Sequence, residues 1–310
     1  MRTGAPSGHA GYFHETAFYG SDAGFRDLVV PFLDEGVAHG EPVLVACGTA
    51  NQRLLREAVS DPSGVVFVPR TEQYDRPTEA IIAYRKLFAE YAGAPQIRVV
   101  GEVPHPGTGA SWDWWARYEA AVNQVFAEFP LWGLCPYDLR TTPAGVLVDV
   151  LRTHPHVTGA DGGHAANPDY SASWTWPDIA PDPLQAVPPT VALTDPSPAE
   201  ARRAVTAAAS TTGLTGDERD DIVYATSEAV TNALCHGKPP VSVRAWAGRA
   251  RLVVAVTDRG TGPSSPLAGL VPTTDTTSAG IGLWLTHRTC RDVALARDDE
   301  GYTIRLTVGS

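Results

Sequence analysis

The sequence predicts two domains in series: an α/β domain on a mostly parallel sheet with helices on both faces, then an α+β domain in which a helix layer covers a mixed sheet. Three observations lead there. Short apolar runs alternate with amphipathic stretches through the first 150 or so residues, the pattern of a parallel sheet with helical crossovers. A stretch rich in Pro and Gly then breaks all periodicity. Beyond it the order changes to two helices, a hairpin, an irregular polar stretch and a further helix. The expected limits are 1–160 for the first domain, 161–195 for a linker and 196–310 for the second, and 310 residues suffice for two cores.

In the first domain, Leu28, Val29, Phe32, Leu33 and Val37 are spaced as a helix stripe over 25–40, and 42–46 is an apolar run of strand length. Alternation continues with helices over 52–59, 77–91, 112–129 and 142–151, and strands over 65–68, 97–100 and 132–135. In such sheets ligands sit beyond the carboxyl ends of the strands, where Cys47, Glu102, Cys135, Tyr137 and Asp138 form a candidate sensory pocket. Polar residues after strands also serve simply as turn formers, and that alternative stands. No G-x-x-x-x-G-K-[ST] loop is present, so nucleotide hydrolysis is not expected in this half. His154 and His156 flank a proline and can be read as metal ligands; with no third ligand near them in sequence, the structural role is preferred.

The stretch from Thr158 through Pro198 carries eight prolines, six of them within the linker, which exclude a continuous helix. Trp174 and Trp176 suggest that it packs against a domain, and 191–193 reads as an edge strand.

In the second domain, Ser197, Pro198 and Glu200 have the spacing of a capping box ahead of a helix to about Ser210. A second helix runs from Asp217 to His236, with Gly237 as its stop. On it Glu228, Asn232 and His236 climb one face at i, i+4 and i+8, opposite an apolar stripe of Ile222, Val223, Ala229, Val230, Ala233 and Leu234. A carboxylate and a carboxamide one turn apart suit oxygen ligation of Mg²⁺; a solvated polar face is the alternative. Strands over 241–247 and 251–257 form a hairpin that ends in DRGTG. Asp258 can accept a hydrogen bond from an exocyclic amine while Gly260 and Gly262 let a flat base approach, or it can be a turn residue. The Pro- and Thr-rich stretch 263–278 leads into AGIGL at the start of a helix over 283–290, where glycine amides and the helix dipole favour an anion.

The first 160 residues resemble the MEDS domain, a sensory module related to the RecA and KaiC-like sheet. The residues that carry the likeness are His14, Phe18 and Tyr19, the stretch Pro31 to Val45, LCPYDLR at 134–140 and LRTHPHV at 151–157. The resemblance implies sensing of a small-molecule ligand. The second half resembles the GHKL ATPases with their Bergerat ATP-binding fold, and within them the anti-sigma-factor serine/threonine kinases, through SEAVTNA, His236-Gly237, the short lid and GLWL at 282–285. That resemblance implies ATP and Mg²⁺ as cofactors, Asn232 on the metal, Glu228 as general base, Asp258 on adenine, Gly260 and Gly262 along the base, and Gly280, Ile281, Gly282 and Leu283 at the phosphates. Ile281 stands where this family often has Arg, which weakens the expected phosphate grip.

A net charge of -11 argues against a nucleic-acid or anionic-membrane surface. Four scattered cysteines without a CxxC pair fit reduced thiols, and no apolar run is long enough for a membrane span, so a cytoplasmic protein is expected. The leading expectation is a signalling regulator whose sensory domain controls a kinase domain acting on a sigma factor or a STAS-type anti-anti-sigma antagonist, with a homodimer left open. The rival is a non-catalytic ATP-binding module that switches partners by sequestration. A sensor histidine kinase is disfavoured because residues 187–210 hold no phospho-accepting His, and a topoisomerase-type ATPase because no transducer domain follows the last helix.

Overall fold

The computed structural model describes residues 9–69, 76–109, 112–159, 163–173, 180–271 and 279–309. The chain divides into two compact units, 1–173 and 174–310. Trp174 and Trp176 lie outside the described residues.

The first unit alternates β1 (Phe13–Tyr19), α1 (Asp22–Ala38), β2 (Val43–Ala46), α2 (Thr49–Ala58), β3 (Val65–Phe67), α3 (Pro77–Ala89), β4 (Ile97–Gly101), α4 (Trp112–Val125), β5 (Leu131–Asp138), α5 (Ala144–Thr153), β6 (His156–Thr158) and β7 (His164–Ala166). Its described strands form one sheet in the order β3-β2-β4-β5-β1-β6-β7. Every pairing is parallel except that of β6 with β7. The sheet is covered on both faces, as expected, because alternate residues of its strands point to opposite sides. Trp132 and Leu134 join Phe25, Val29, Phe32 and Leu33 of α1 and Leu55 of α2 in one core. Cys135 and Tyr137 face the other way, toward Val146 and Val150 of α5.

Three strands were absent from the expected pattern, and one of them, β1, sits between β5 and β6 inside the sheet. Its sequence, FHETAFY, puts His14, Glu15 and Thr16 in succession, all buried. A strand in the middle of a parallel sheet normally reads as an apolar run. Here the polar groups are paired: Glu15 accepts from Trp132 Nε1 at 2.7 Å, Thr158 Oγ1 at 2.8 Å and His164 Nδ1 at 2.8 Å, and Thr16 Oγ1 donates to the Cys135 carbonyl at 3.1 Å.

The second unit contains β8 (Val191–Thr194), α6 (Pro198–Ser210), α7 (Gly216–His236), β9 (Ser242–Ala247), β10 (Arg251–Asp258), α8 (Ala279–Thr289), β11 (Asp292–Asp298) and β12 (Gly301–Gly309). The sheet order is β11-β12-β10-β9-β8, and every pairing is antiparallel, which corrects the expectation of a mixed sheet. The physical reason is local. Tight connections return β9 to β10 and β11 to β12, and such hairpins can only be antiparallel. The register puts Ala245, Val254 and Leu306 on one face and Trp246, Val253 and Thr307 on the other. Leu184 packs on the second face against Trp246, Val253 and Ala255.

Residues 161–195, expected to be a linker, thus give β7 to the first sheet and β8, an edge strand as expected, to the second. The segment before β8 is tied down as well: Asp182 accepts from Arg251 Nη2 at 2.7 Å and caps Leu184, and Trp246 Nε1 donates to the Val187 carbonyl at 2.9 Å.

Candidate functional site

In the second unit α7 carries the chemistry. Thr215 caps it through a reciprocal box with Glu218, and α6 starts with the Ser197 and Glu200 box that the spacing predicts. The buried face of α7 consists of Ile222, Ala225, Thr226, Ser227, Ala229, Val230 and Ala233, whereas Leu234, read as part of the apolar stripe, is exposed. Glu228 and Asn232 are half-buried and make no hydrogen bond among the described residues; His236 is exposed.

The residues after α7 meet the end of β10. Gly237 closes α7, as expected from sequence, with φ -84°, outside the left-handed region in which glycine often ends a helix. Its need for glycine is steric: a Cβ there would run into the Asp258 carboxylate. Asp258 is only 5% exposed, and its Oδ1 accepts from the Gly260 amide at 2.6 Å and the Lys238 amide at 3.1 Å. Its Oδ2 has no partner among the described residues. That leaves one carboxylate oxygen, held rigidly by two backbone donors through its twin, to accept from an amine. Gly262 at φ +67° lies against the Tyr302 ring.

α8 begins at Ala279, earlier than expected, so Gly280 and Gly282 both fall in its first turn. Gly282 lies directly against the Glu228 carboxylate, where a Cβ would collide with Oε2. Of the residues between, 263–271 are described and 272–278 are not. Gly269 in that stretch approaches Leu283 and His287 of α8. Ile281 is 44% exposed on α8. The fold therefore joins Glu228 to Gly282 of α8, and Asp258 to Gly237 and Gly260. These groups suit a nucleotide: an unpartnered oxygen on a buried carboxylate, two polar side chains of α7 without hydrogen bonds, and glycine amides at a helix start.

The first unit holds a cavity of about 70 Å³ on the face covered by α3 and α4. It is mainly apolar, with the aromatic side chains Tyr12, Tyr84, Phe88, Trp115, Tyr118 and Phe126 in its wall, and His14, Glu102, Glu119 and Cys135 among its polar groups. Glu102 and Cys135, two of the five residues expected at a sensory pocket, line it. Tyr137 does not, but its hydroxyl donates to Glu119 Oε1 at 2.5 Å. Cys47 belongs to the core on the opposite face of the sheet, and Asp138 pairs with Arg140 through Nη2 at 2.7 Å. Both sit where the fold needs an apolar filler and a turn, and neither lines this cavity.

Sequence reasoning missed His14 and Glu119 and set His154 aside. The three converge with Cys135: His14 Nε2 is 3.4 Å from Cys135 Sγ and 3.5 Å from Glu119 Oε2, and His154 Nε2 is 3.6 Å from the same oxygen. Burial pushes the Glu119 carboxyl up to about 7, against the Tyr137 hydroxyl bond that lowers it. Burial also lowers His154 to about 4 and lowers His14, while it raises the Cys135 thiol. His156, by contrast, stacks on Phe13 with ring centroids 4.0 Å apart, a packing role. A clue lay in the spacing of Cys135 and Tyr137, which places both on the face of β5 that looks at α4.

Comparison with known proteins agrees with this division. The family model for MEDS, the methanogen/methylotroph DcmR sensory domain, matches residues 13–155, and that for the histidine kinase-like ATPase domain matches residues 192–308. The transcriptional repressor DcmR of Methylorubrum extorquens (strain DSM 6343 / CIP 106787 / DM4) is 27% identical over 157 residues, which cover 46% of this chain and 57% of that protein. No helix among the described residues is long and apolar enough to cross a membrane. The unit with the aromatic cavity carries a MEDS sensory domain, and the unit with Glu228 and Asp258 carries a histidine kinase-like ATPase domain.

Proposed function

We propose that this chain is a signalling regulator in which a small molecule held by the MEDS domain controls an ATP- and Mg²⁺-dependent protein serine/threonine kinase of the anti-sigma-factor type. The observation that carries the proposal is the Glu228 carboxylate lying against Gly282 at the start of α8, which puts a proton acceptor beside amides suited to a phosphate. Asp258 Oδ2 would hold the adenine amine, Asn232 would offer an oxygen to Mg²⁺, and Gly280, Ile281, Gly282 and Leu283 would border the phosphates. ATP with Mg²⁺, when bound, supplies the transferable phosphoryl group. Glu228 would orient the hydroxyl of a serine or threonine on the partner and take its proton on a carboxylate oxygen. The partner proposed is a sigma factor or a STAS-type antagonist, with no direct contact to nucleic acid. The relative from Methylorubrum extorquens, a transcriptional repressor, supports a regulatory output.

The exposed Ile281 favours a second reading, in which no basic side chain grips the phosphates and the domain binds ATP only to set its partner-binding surface. Full-length variants separate the two. Under the kinase reading Glu228→Ala retains ATP affinity and loses about 10²- to 10⁴-fold in phosphate transfer to the partner. Asn232→Ala loses Mg²⁺-dependent binding and transfer together. Wild-type ATP binding without transfer to any STAS-type candidate would leave the binding module.

A further inference from the structure

The four buried side chains at the wall of the aromatic cavity have a geometry that the sensory reading does not use. We propose that His14 Nε2, Glu119 Oε2, Cys135 Sγ and His154 Nε2 form a binding site for one divalent transition-metal ion of borderline softness, zinc or its close analogues.

The hydrogen bonds around the cluster fix which atoms face its centre. Asn123 Nδ2 donates to the Thr153 carbonyl at 2.8 Å and the Glu119 carbonyl at 3.2 Å, so its Oδ1 faces His14 Nδ1 at 3.0 Å. His14 must therefore carry its proton on Nδ1 and present a bare Nε2. His154 Nδ1 lies 2.8 Å from the Val150 carbonyl, an acceptor only, so its Nε2 is bare as well. Both lone pairs point at Glu119 Oε2, a third acceptor, and neither Glu119 Oε2 nor His154 Nε2 has a hydrogen-bond partner. Buried acceptors facing one another without a proton between them repel, and each bond left unmade at such a site is destabilising. A cation at the centre turns that repulsion into ligation.

Three of the six donor pairs already have the spacing of such a site. Tetrahedral zinc with nitrogen and oxygen donors at about 2.0–2.1 Å and a thiolate at about 2.3 Å sets neighbouring donors about 3.3–3.6 Å apart. The three close donor pairs here are separated by 3.4, 3.5 and 3.6 Å, and all four donor atoms lie within 4.8 Å of one another. Two imidazoles, a thiolate and a carboxylate select zinc, cobalt or iron over the hard cations Mg²⁺ and Ca²⁺. The outer contacts also match a metal centre: each imidazole donates its distal proton to an oxygen, and the Tyr137 hydroxyl holds the second carboxylate oxygen of Glu119. His14, Glu119 and Cys135 line the cavity, so the ion would stand in its wall.

The test uses the full chain, stripped with chelator and titrated with Co²⁺ and then Zn²⁺, with Cys235→Ser as the background because that thiol is exposed. Expected are one Co²⁺ per chain, thiolate-to-cobalt charge transfer with intense visible bands, and displacement by one Zn²⁺. Cys135→Ser should abolish the charge transfer, Asn123→Ala should weaken Co²⁺ binding about 10- to 100-fold, and His156→Ala should change neither. The wild-type spectrum is informative even if a variant fails to fold. A folded background protein that binds Co²⁺ without charge transfer, or no more tightly than folded Cys135→Ser, overturns the site and leaves Glu119 as a protonated acid between two imidazoles.

Discussion

The Glu228 carboxylate occupies the space that a side chain at Gly282 would need, although α7 and α8 are separated in sequence by the β9–β10 hairpin and the irregular stretch after it. The two residues are therefore expected to be energetically coupled. Gly282→Ala alone forces the Glu228 side chain to move. In a Glu228→Ala background the three atoms nearest to the new Cβ are gone, so a double-mutant cycle on thermal unfolding should give a coupling of about 0.5 kcal/mol or more. Strict additivity would show that the contact carries no energy.

Asp258→Asn should weaken ATP binding by full-length protein about 10- to 100-fold, in line with the ~1.5–3 kcal/mol of a hydrogen bond to a charged group. The amide has only one oxygen, and the Gly260 and Lys238 amides already claim it. Calorimetry that finds unchanged affinity would remove Asp258 from the nucleotide site.

Glu15→Ala should destabilise the first unit by about 3–5 kcal/mol, because it leaves Trp132 Nε1, Thr158 Oγ1 and His164 Nδ1 without their shared buried acceptor. Denaturant unfolding followed by tryptophan fluorescence measures it. A cost below 1 kcal/mol would mean that the strand does not depend on this carboxylate.

Asp182 is held below its ordinary carboxylate value: burial pushes it up, but the Leu184 amide and Arg251 together outweigh that. A depressed folded value means stability that is present above the unfolded value and lost as pH falls through the folded one. The second unit should accordingly lose stability on acidification, and Asp182→Asn should flatten that loss while lowering stability at neutral pH. Parallel melting curves for the two proteins between neutral pH and pH ~3 would refute the role.

The elements that sequence showed best are those whose buried face and chemical face differ in residue type, as on α7, where small apolar residues alternate with Glu228 and Asn232. β1 escaped because His14, Glu15 and Thr16 resemble a surface segment until their partners on β5, β6 and β7 are known. Gly237 was visible as a glycine, but only the fold shows that the reason is Asp258, on the other side of the β9–β10 hairpin. The same holds for Glu119. On α4 it reads as one more polar helix residue, and it becomes informative only when β1, β5 and the end of α5 bring His14, Cys135 and His154 to it. Spacing along the chain cannot report a cluster assembled from four elements.

The place of β1 in the first sheet also has a consequence for how the protein is made. During synthesis β1 must wait for β5, and then for β6, before either of its edges is paired. Pairing across so long a stretch of chain raises contact order and slows folding, and it leaves the unmatched edges and the buried acid of Glu15 exposed in the nascent chain. Chaperone contact during synthesis should therefore concentrate on this N-terminal segment and fall away once residue 158 has emerged.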